Sequence, residues 1–205
     1  MKIALRFAFA VFLLTAFAFT TSPEKNSKPI IVVIDVSHGG ADPGNNNKLV
    51  LEKELVYQIA QKMATLNTSG SIQLHFTRDG DKSMSLQDRV KFINQLQPDA
   101  VLSLHMNGEN IKKASGLRVF YSERAFQDKK TQNLASEIAE SFKTNGLFSS
   151  RTIGSAPFYI LKHSNAPALL LELGNMDNPS DLELVKDPAQ QETIAQTILD
   201  ALERL

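Results

Sequence analysis

Ile30-Ile-Val-Val-Ile34, running into Asp35-Val-Ser-His38-Gly-Gly40, is an apolar run that ends on an acid, a histidine and a glycine pair. Its length and composition read as a buried strand whose carboxyl end carries polar chemistry. Ala100-Val-Leu-Ser-Leu104 repeats the pattern and runs into His105-Met-Asn107, and Ala168-Leu-Leu-Leu171 ends on Glu172. In an open α/β sheet the carboxyl ends of parallel strands face one crevice, where ligands bind. Two histidines and a carboxylate are therefore expected to meet there. Such a set around an open position is what a catalytic zinc site requires, because the metal must keep one place for water.

Outward from these runs, strands and helices alternate. Strands are expected at 30–35, 72–77, 100–104, 117–121, 158–161 and 168–172, and helices at 51–66, 85–96, 126–144 and 187–205. Leu55, Ile59 and Met63, spaced by four, mark the buried stripe of the first helix. Asn178-Pro179-Ser180-Asp181 reads as a further helix start, with Asn178 as cap and Pro179 in the first helical position. This order predicts a single α/β domain, a twisted and mostly parallel sheet with helices on both faces.

The 205 residues suffice for one domain with a full core, and Lys plus Arg equal Asp plus Glu at 22 each. That balance gives no sign of a nucleic-acid surface. The amino-terminal stretch reads as a targeting segment: Lys2 and Arg6 flank an apolar run from Phe7 to Phe19, and Ala16-Phe17-Ala18 fits a small-x-small cleavage site. We therefore expect a signal peptide over residues 1–18, a polar linker over 19–29 and a catalytic domain over 30–205. Cleavage leaves a net charge of about −2. The apolar run is short against the roughly 20 residues of a spanning helix, so it reads as export to the periplasm or cell wall rather than anchoring. With no cysteine there is no disulfide framework and no lipid-modified cysteine.

Several motifs together carry a resemblance. Asp35-Val-Ser-His-Gly-Gly-Ala-Asp-Pro-Gly44, Glu52-Lys53, Thr77-Arg78-Asp79, Leu86 with Arg89 and Asn94, Ser103-Leu-His-Met-Asn107, Gly116-Leu-Arg-Val-Phe-Tyr121 and Leu171-Glu-Leu-Gly174 stand in order along the chain. From about residue 30 onward they resemble the zinc-dependent N-acetylmuramoyl-L-alanine amidases of the AmiC type, the amidase_3 family. The resemblance implies His38, Glu52 and His105 as zinc ligands and Glu172 as the catalytic carboxylate. The residues alone bring His38, His105 and Glu172 together but do not choose Glu52 over Glu54. Two departures from the family pattern fall beside the site: Asp-Pro-Gly-His is here Asp35-Val-Ser-His38, and Asn175-Met176 replaces an aromatic after Leu-Gly. Between Tyr121 and Arg151 there is little room for the extra helix that blocks the site in regulated relatives. The expectation is a site open without an activator.

The implied chemistry is amide hydrolysis. Zinc lowers the pKa of a water to about 7 and polarises the scissile carbonyl, and Glu172 moves the proton from water to leaving amine. The implied substrate is peptidoglycan or its muropeptides, cut between N-acetylmuramic acid and L-alanine. A zinc peptidase acting within the stem peptide and a non-catalytic wall-binding domain are the alternatives. Arg78, following a strand end, is expected either to hold an anionic substrate group or to pair with a nearby aspartate. Asn107 and Asp35 are expected to orient the metal histidines. His75 falls on the polar face of an alternating strand, and His163 lies in a loop outside the motifs.

Overall fold

The computed structural model describes residues 28–47, 50–108 and 115–205. The expected signal peptide and most of the linker lie outside the described residues. Six strands form one sheet: β1 (Ile30–Val36), β2 (Ile72–Phe76), β3 (Ala100–Asn107), β4 (Leu117–Tyr121), β5 (Arg151–Ser155) and β6 (Ala168–Asn175). Their order is β2-β1-β3-β6-β4-β5. The pairs β2-β1, β1-β3 and β3-β6 are parallel, β4 runs antiparallel to β6, and β5 is parallel to β4. The helices are α1 (Glu52–Leu66), α2 (Leu86–Leu96), α3 (Lys129–Thr144), α4 (Tyr159–His163), α5 (Pro179–Lys186) and α6 (Pro188–Leu202).

The central strands are apolar on both sides because both sides are covered. Val32 and Ile34 face a core filled by α1, α3 and α6, whereas Val33 and Val101 face a second core filled by α2 and α4. All four are fully buried, which stabilises by about 1.5–3 kcal/mol for each such side chain. From β1 the chain passes through α1 to β2 on one side, then returns through α2 to β3 on the other. The carboxyl ends of β1 and β3 thus form a topological switch point, where an open α/β sheet leaves a crevice.

The expected architecture holds, with one exchange between strand and helix. Residues 158–161, read as a strand, form α4, in which Lys162 N donates to Phe158 O and Ser164 N to Ile160 O. Ile160 and Leu161 are apolar because they seal the second core, a burial that a helical turn serves as well as a strand. The strand lies instead at Arg151–Ser155, where Ile153 is the one large apolar side chain and is exposed. An edge strand with no buried face carries no alternating signal. The helix expected at 126–144 begins at Lys129, where Asp128 accepts from Lys130 N and Thr131 N, after a 3-10 turn at Glu123–Gln127. Asn178 caps α5 with Pro179 in its first turn, as expected. Among the described residues no helix is long and apolar enough to cross a membrane.

Candidate metal centre

Beyond β1 the chain turns sharply through His38, whose φ of 57° lies in the left-handed region. A histidine there is strained and persists only when its surroundings hold it. Arg89 on α2 does so, donating from Nη2 to His38 O at 2.6 Å and from Nη1 to Val36 O at 2.6 Å. The same Nη1 donates to Asp35 Oδ1 at 2.7 Å, and Asp35 also accepts from Thr77 Oγ1 and Ser103 Oγ. Arg78 clamps the other side: its guanidinium donates to the carbonyls of Val36, Ser37, Lys53 and Gly80. Lys53 Nζ and Asp81 grip Gly40 by its carbonyl and amide.

Glu52 opens α1, and the turn after β1 caps that helix, since Glu52 N donates to Asn45 O and Lys53 N to Pro43 O. Its carboxylate is 1% exposed. Oε2 accepts from the backbone N and from Nδ2 of Asn45, both at 2.8 Å, and Oε1 accepts from Met106 N at 2.9 Å. Glu54, by contrast, is exposed to solvent. Against Glu52 Oε1 lie two imidazole nitrogens, His105 Nδ1 at 3.0 Å and His38 Nε2 at 3.1 Å. One donor atom from each residue lies within 4.8 Å of the others. The two rings meet nearly edge-on, 5.1 Å between centres.

Charge follows this geometry. Burial pushes the Glu52 carboxyl up, but hydrogen bonds from His105 and His38 and their charge outweigh it, leaving the group well below the ordinary carboxylate range. Burial pushes His38 down, yet Glu52 and Asp42 outweigh it and raise the imidazole above its usual 6.5. Asp42 faces the far nitrogen of the ring, with Oδ2 2.8 Å from Nδ1. A carboxylate on that nitrogen orients the ring and raises its basicity. Gly44, at φ 67°, packs so tightly that a Cβ there would stand 2.7 Å from both Glu52 Oε2 and His38 Cδ2. This donor set, two imidazoles and a carboxylate, suits a divalent metal ion with room for further ligands.

Glu172 sits on β6 in register with His105 on β3 and with Arg118 on β4. Its side chain is 15% exposed, and Oε2 lies 3.2 Å from Arg118 Nη1. His38, Glu52, His105, Asn107, Phe158 and Glu172 share the wall of one open cleft of about 570 Å³. The structure thus brings His38, Glu52, His105 and Glu172 together. Asn107 lines the same cleft.

Two expectations change. Arg78 is 5% exposed, and its guanidinium is turned to the four backbone carbonyls, so it supports the turn rather than meeting an anionic substrate or an aspartate. Among the described residues Asp35 reaches His38 through Arg89 rather than directly. The aspartate that orients His38 is Asp42, and Asn45 positions Glu52. Asp42 lies inside the motif ending at Gly44 and Asn45 directly follows it, but no periodicity distinguishes a turn residue aimed inward from one aimed at water. Asp42, four residues after His38 in a glycine-rich turn, was the available signal. His75 and His163 stand apart from this cluster.

Fold and site together define an α/β domain with a His-Glu-His pocket able to hold a metal ion outside its switch point. The chain belongs to the N-acetylmuramoyl-L-alanine amidase family, whose profile matches residues 32–204. N-acetylmuramoyl-L-alanine amidase LytC of Bacillus subtilis is 32% identical over 170 residues, covering 82% of this chain and 34% of LytC. Probable cell wall amidase LytH of Staphylococcus epidermidis is 28% identical over 176 residues, covering 84% of this chain and 57% of LytH. The chain therefore spans little more than half the length of these curated relatives at most. The crystal structure of an N-acetylmuramoyl-L-alanine amidase from Clostridium difficile 630 superposes with a TM-score of 0.80 at 29% identity, covering 86% of this chain and 96% of that one.

Proposed function

We propose that this chain is an exported zinc amidase that hydrolyses the amide between the lactyl group of N-acetylmuramic acid and the L-alanine of peptidoglycan stem peptides. The observation that carries the reading is the convergence of His38, Glu52 and His105, one donor atom from each within 4.8 Å of the others, with Glu172 in register beside His105. Family membership supplies the substrate class. Export rests on the amino-terminal sequence and on the cell-wall relatives.

His38, Glu52 and His105 would hold the ion. Bound there, zinc supplies a Lewis acid for the scissile carbonyl and lowers the pKa of a water to about 7. Asp42 holds the His38 ring so that Nε2 faces the pocket, and Asn45 and the Met106 amide hold the Glu52 carboxylate toward both imidazoles. Glu172 accepts the proton of the attacking water on its carboxylate and delivers it to the departing L-alanine nitrogen. Leu170, beneath Glu172 on β6, keeps the base of the cleft apolar. Between Tyr121 and Arg151 the chain contains the 3-10 turn and α3, and α3 packs on the opposite face of the sheet from His105 and Glu172. That placement supports a site open without an activator.

The experiment is mass spectrometry of purified peptidoglycan digested by the folded domain, with and without chelator and with zinc restored. The expected products are stem peptides beginning at L-alanine, lost with chelator and regained with zinc. A new amine elsewhere in the stem would instead identify a peptidase. Zinc binding with no bond cut would mark a wall-binding domain, or one needing an activator.

A further inference from the structure

Arg118 has no part in the chemistry proposed above, yet it stands beside the proposed base. His105, Glu172 and Arg118 form a single row across β3, β6 and β4 on one face of the sheet. The Arg118 side chain is 31% exposed, twice the exposure of Glu172. Its guanidinium carbon lies 5.0 Å from the centre of the Phe120 ring, and Phe120 meets Phe158 edge-on at 5.6 Å. Phe158 in turn lines the cleft. Stacking on an aromatic face fixes the guanidinium plane and directs its N–H groups outward to polar partners.

The cleft wall itself is acidic: Asp42, Glu52 and Glu172 line it, and among the described lining residues there is no lysine or arginine. Arg118 thus sets a positive group beside Glu172 at the edge of this cleft. A guanidinium has five N–H donors, and a carboxylate engages at most two of them in a fork. One arginine can therefore serve both Glu172 and a second carboxylate.

From this row we infer that Arg118 is a specificity-determining residue that binds a free carboxylate on the peptide side of the cleaved amide. The inference rests on the amidase reading. In that substrate the muramic acid carboxyl is consumed in the scissile bond, so the carboxylates within reach belong to the peptide. Adjacent strands stand about 4.8 Å apart, so an anion on Arg118 lies roughly 5–8 Å beyond Glu172. At about 3.4 Å per extended residue that is a distance of about two residues. The carboxylate expected is therefore that of the second residue of the stem.

The test measures binding, with zinc supplied, of two muramoyl peptide analogues in which the scissile N–H is replaced by CH2. They differ only in whether the carboxyl of the second residue is free or amidated. The expected wild-type affinity is about tenfold or more in favour of the free carboxylate, the scale of one charge-assisted hydrogen bond. The ratio falls to about one in Arg118→Gln and is intermediate in Arg118→Lys, with thermal unfolding showing that both variants fold. Equal binding of the two analogues by the wild type overturns the assignment. So does an unchanged ratio in Arg118→Gln, which marks a role exercised only through Glu172. Cleavage of the parent peptides is read separately: if the wild type cuts neither, the reading of an amidase active without an activator fails while the affinity ratio still reports on Arg118.

Discussion

Replacing Gly44 by alanine separates the strain of a backbone conformation from the loss of space beside the proposed metal site. Gly44 and Gly70 have nearly the same φ, 67° and 72°. An L side chain in that region costs about 1–2 kcal/mol at either place. The surroundings differ: a Cβ at Gly70 would meet nothing within 4 Å, whereas at Gly44 it would meet Glu52 Oε2 and His38 Cδ2 at 2.7 Å and Glu52 Cβ at 2.8 Å. Ordinary contact begins at 3.4 Å, so Glu52 and His38 must retreat by about 0.7 Å. Metal bonds tolerate only about 0.2 Å. We expect Gly70→Ala to lower Tm by roughly 2–8 °C with zinc affinity unchanged. Gly44→Ala should lower Tm at least as far and weaken zinc binding by about 10–100-fold, the range for disturbed ligand support. Thermal unfolding and competition titration against a chelating dye read the two effects. Zinc binding as tight in Gly44→Ala as in the wild type would refute the reasoning.

Glu172→Gln should lower kcat by about 10²–10⁴-fold while zinc still binds, as expected for loss of a general base; full activity would remove Glu172 from that role. Asp35→Ala leaves Arg89, 3% exposed, without its carboxylate. Stranding a buried charge costs about 3–5 kcal/mol, and a loss below about 1 kcal/mol in urea unfolding would contradict the pairing. In metal-free protein His38 is raised above 6.5, with burial opposing and Glu52 and Asp42 prevailing. Its ion pairs therefore contribute stability that is fully present below the unfolded pKa and is lost as pH rises through the folded one. With chelator present, the Tm gap between wild type and Asp42→Asn should be wider at pH 5.5 than at pH 8.5. An equal gap at both values would show that the pair does not depend on the His38 proton.

The long apolar runs determine the centre of this protein almost by themselves. Ile30 to Ile34, Ala100 to Leu104 and Ala168 to Leu171 have little choice but to lie in a sheet covered on both faces, and the polar residues at their ends must then share an edge. His38, His105 and Glu172 were legible for that reason. Arg151–Ser155 was not, because a strand at the margin of a sheet owes its structure to a neighbour rather than to its own pattern. Periodicity did not choose Glu52 over Glu54; the motif resemblance did, and the tertiary structure supplies the physical reason, a turn that docks on the start of α1 and buries one carboxylate while exposing the other. The same packing gave Asp42 and Asn45 their place at the site, turned Arg78 toward backbone carbonyls, and set Arg118 beside Glu172. Periodicity reports which side of an element meets the core. Where a turn or strand end aims a single polar side chain depends on distant segments, and those meet only when the chain has folded.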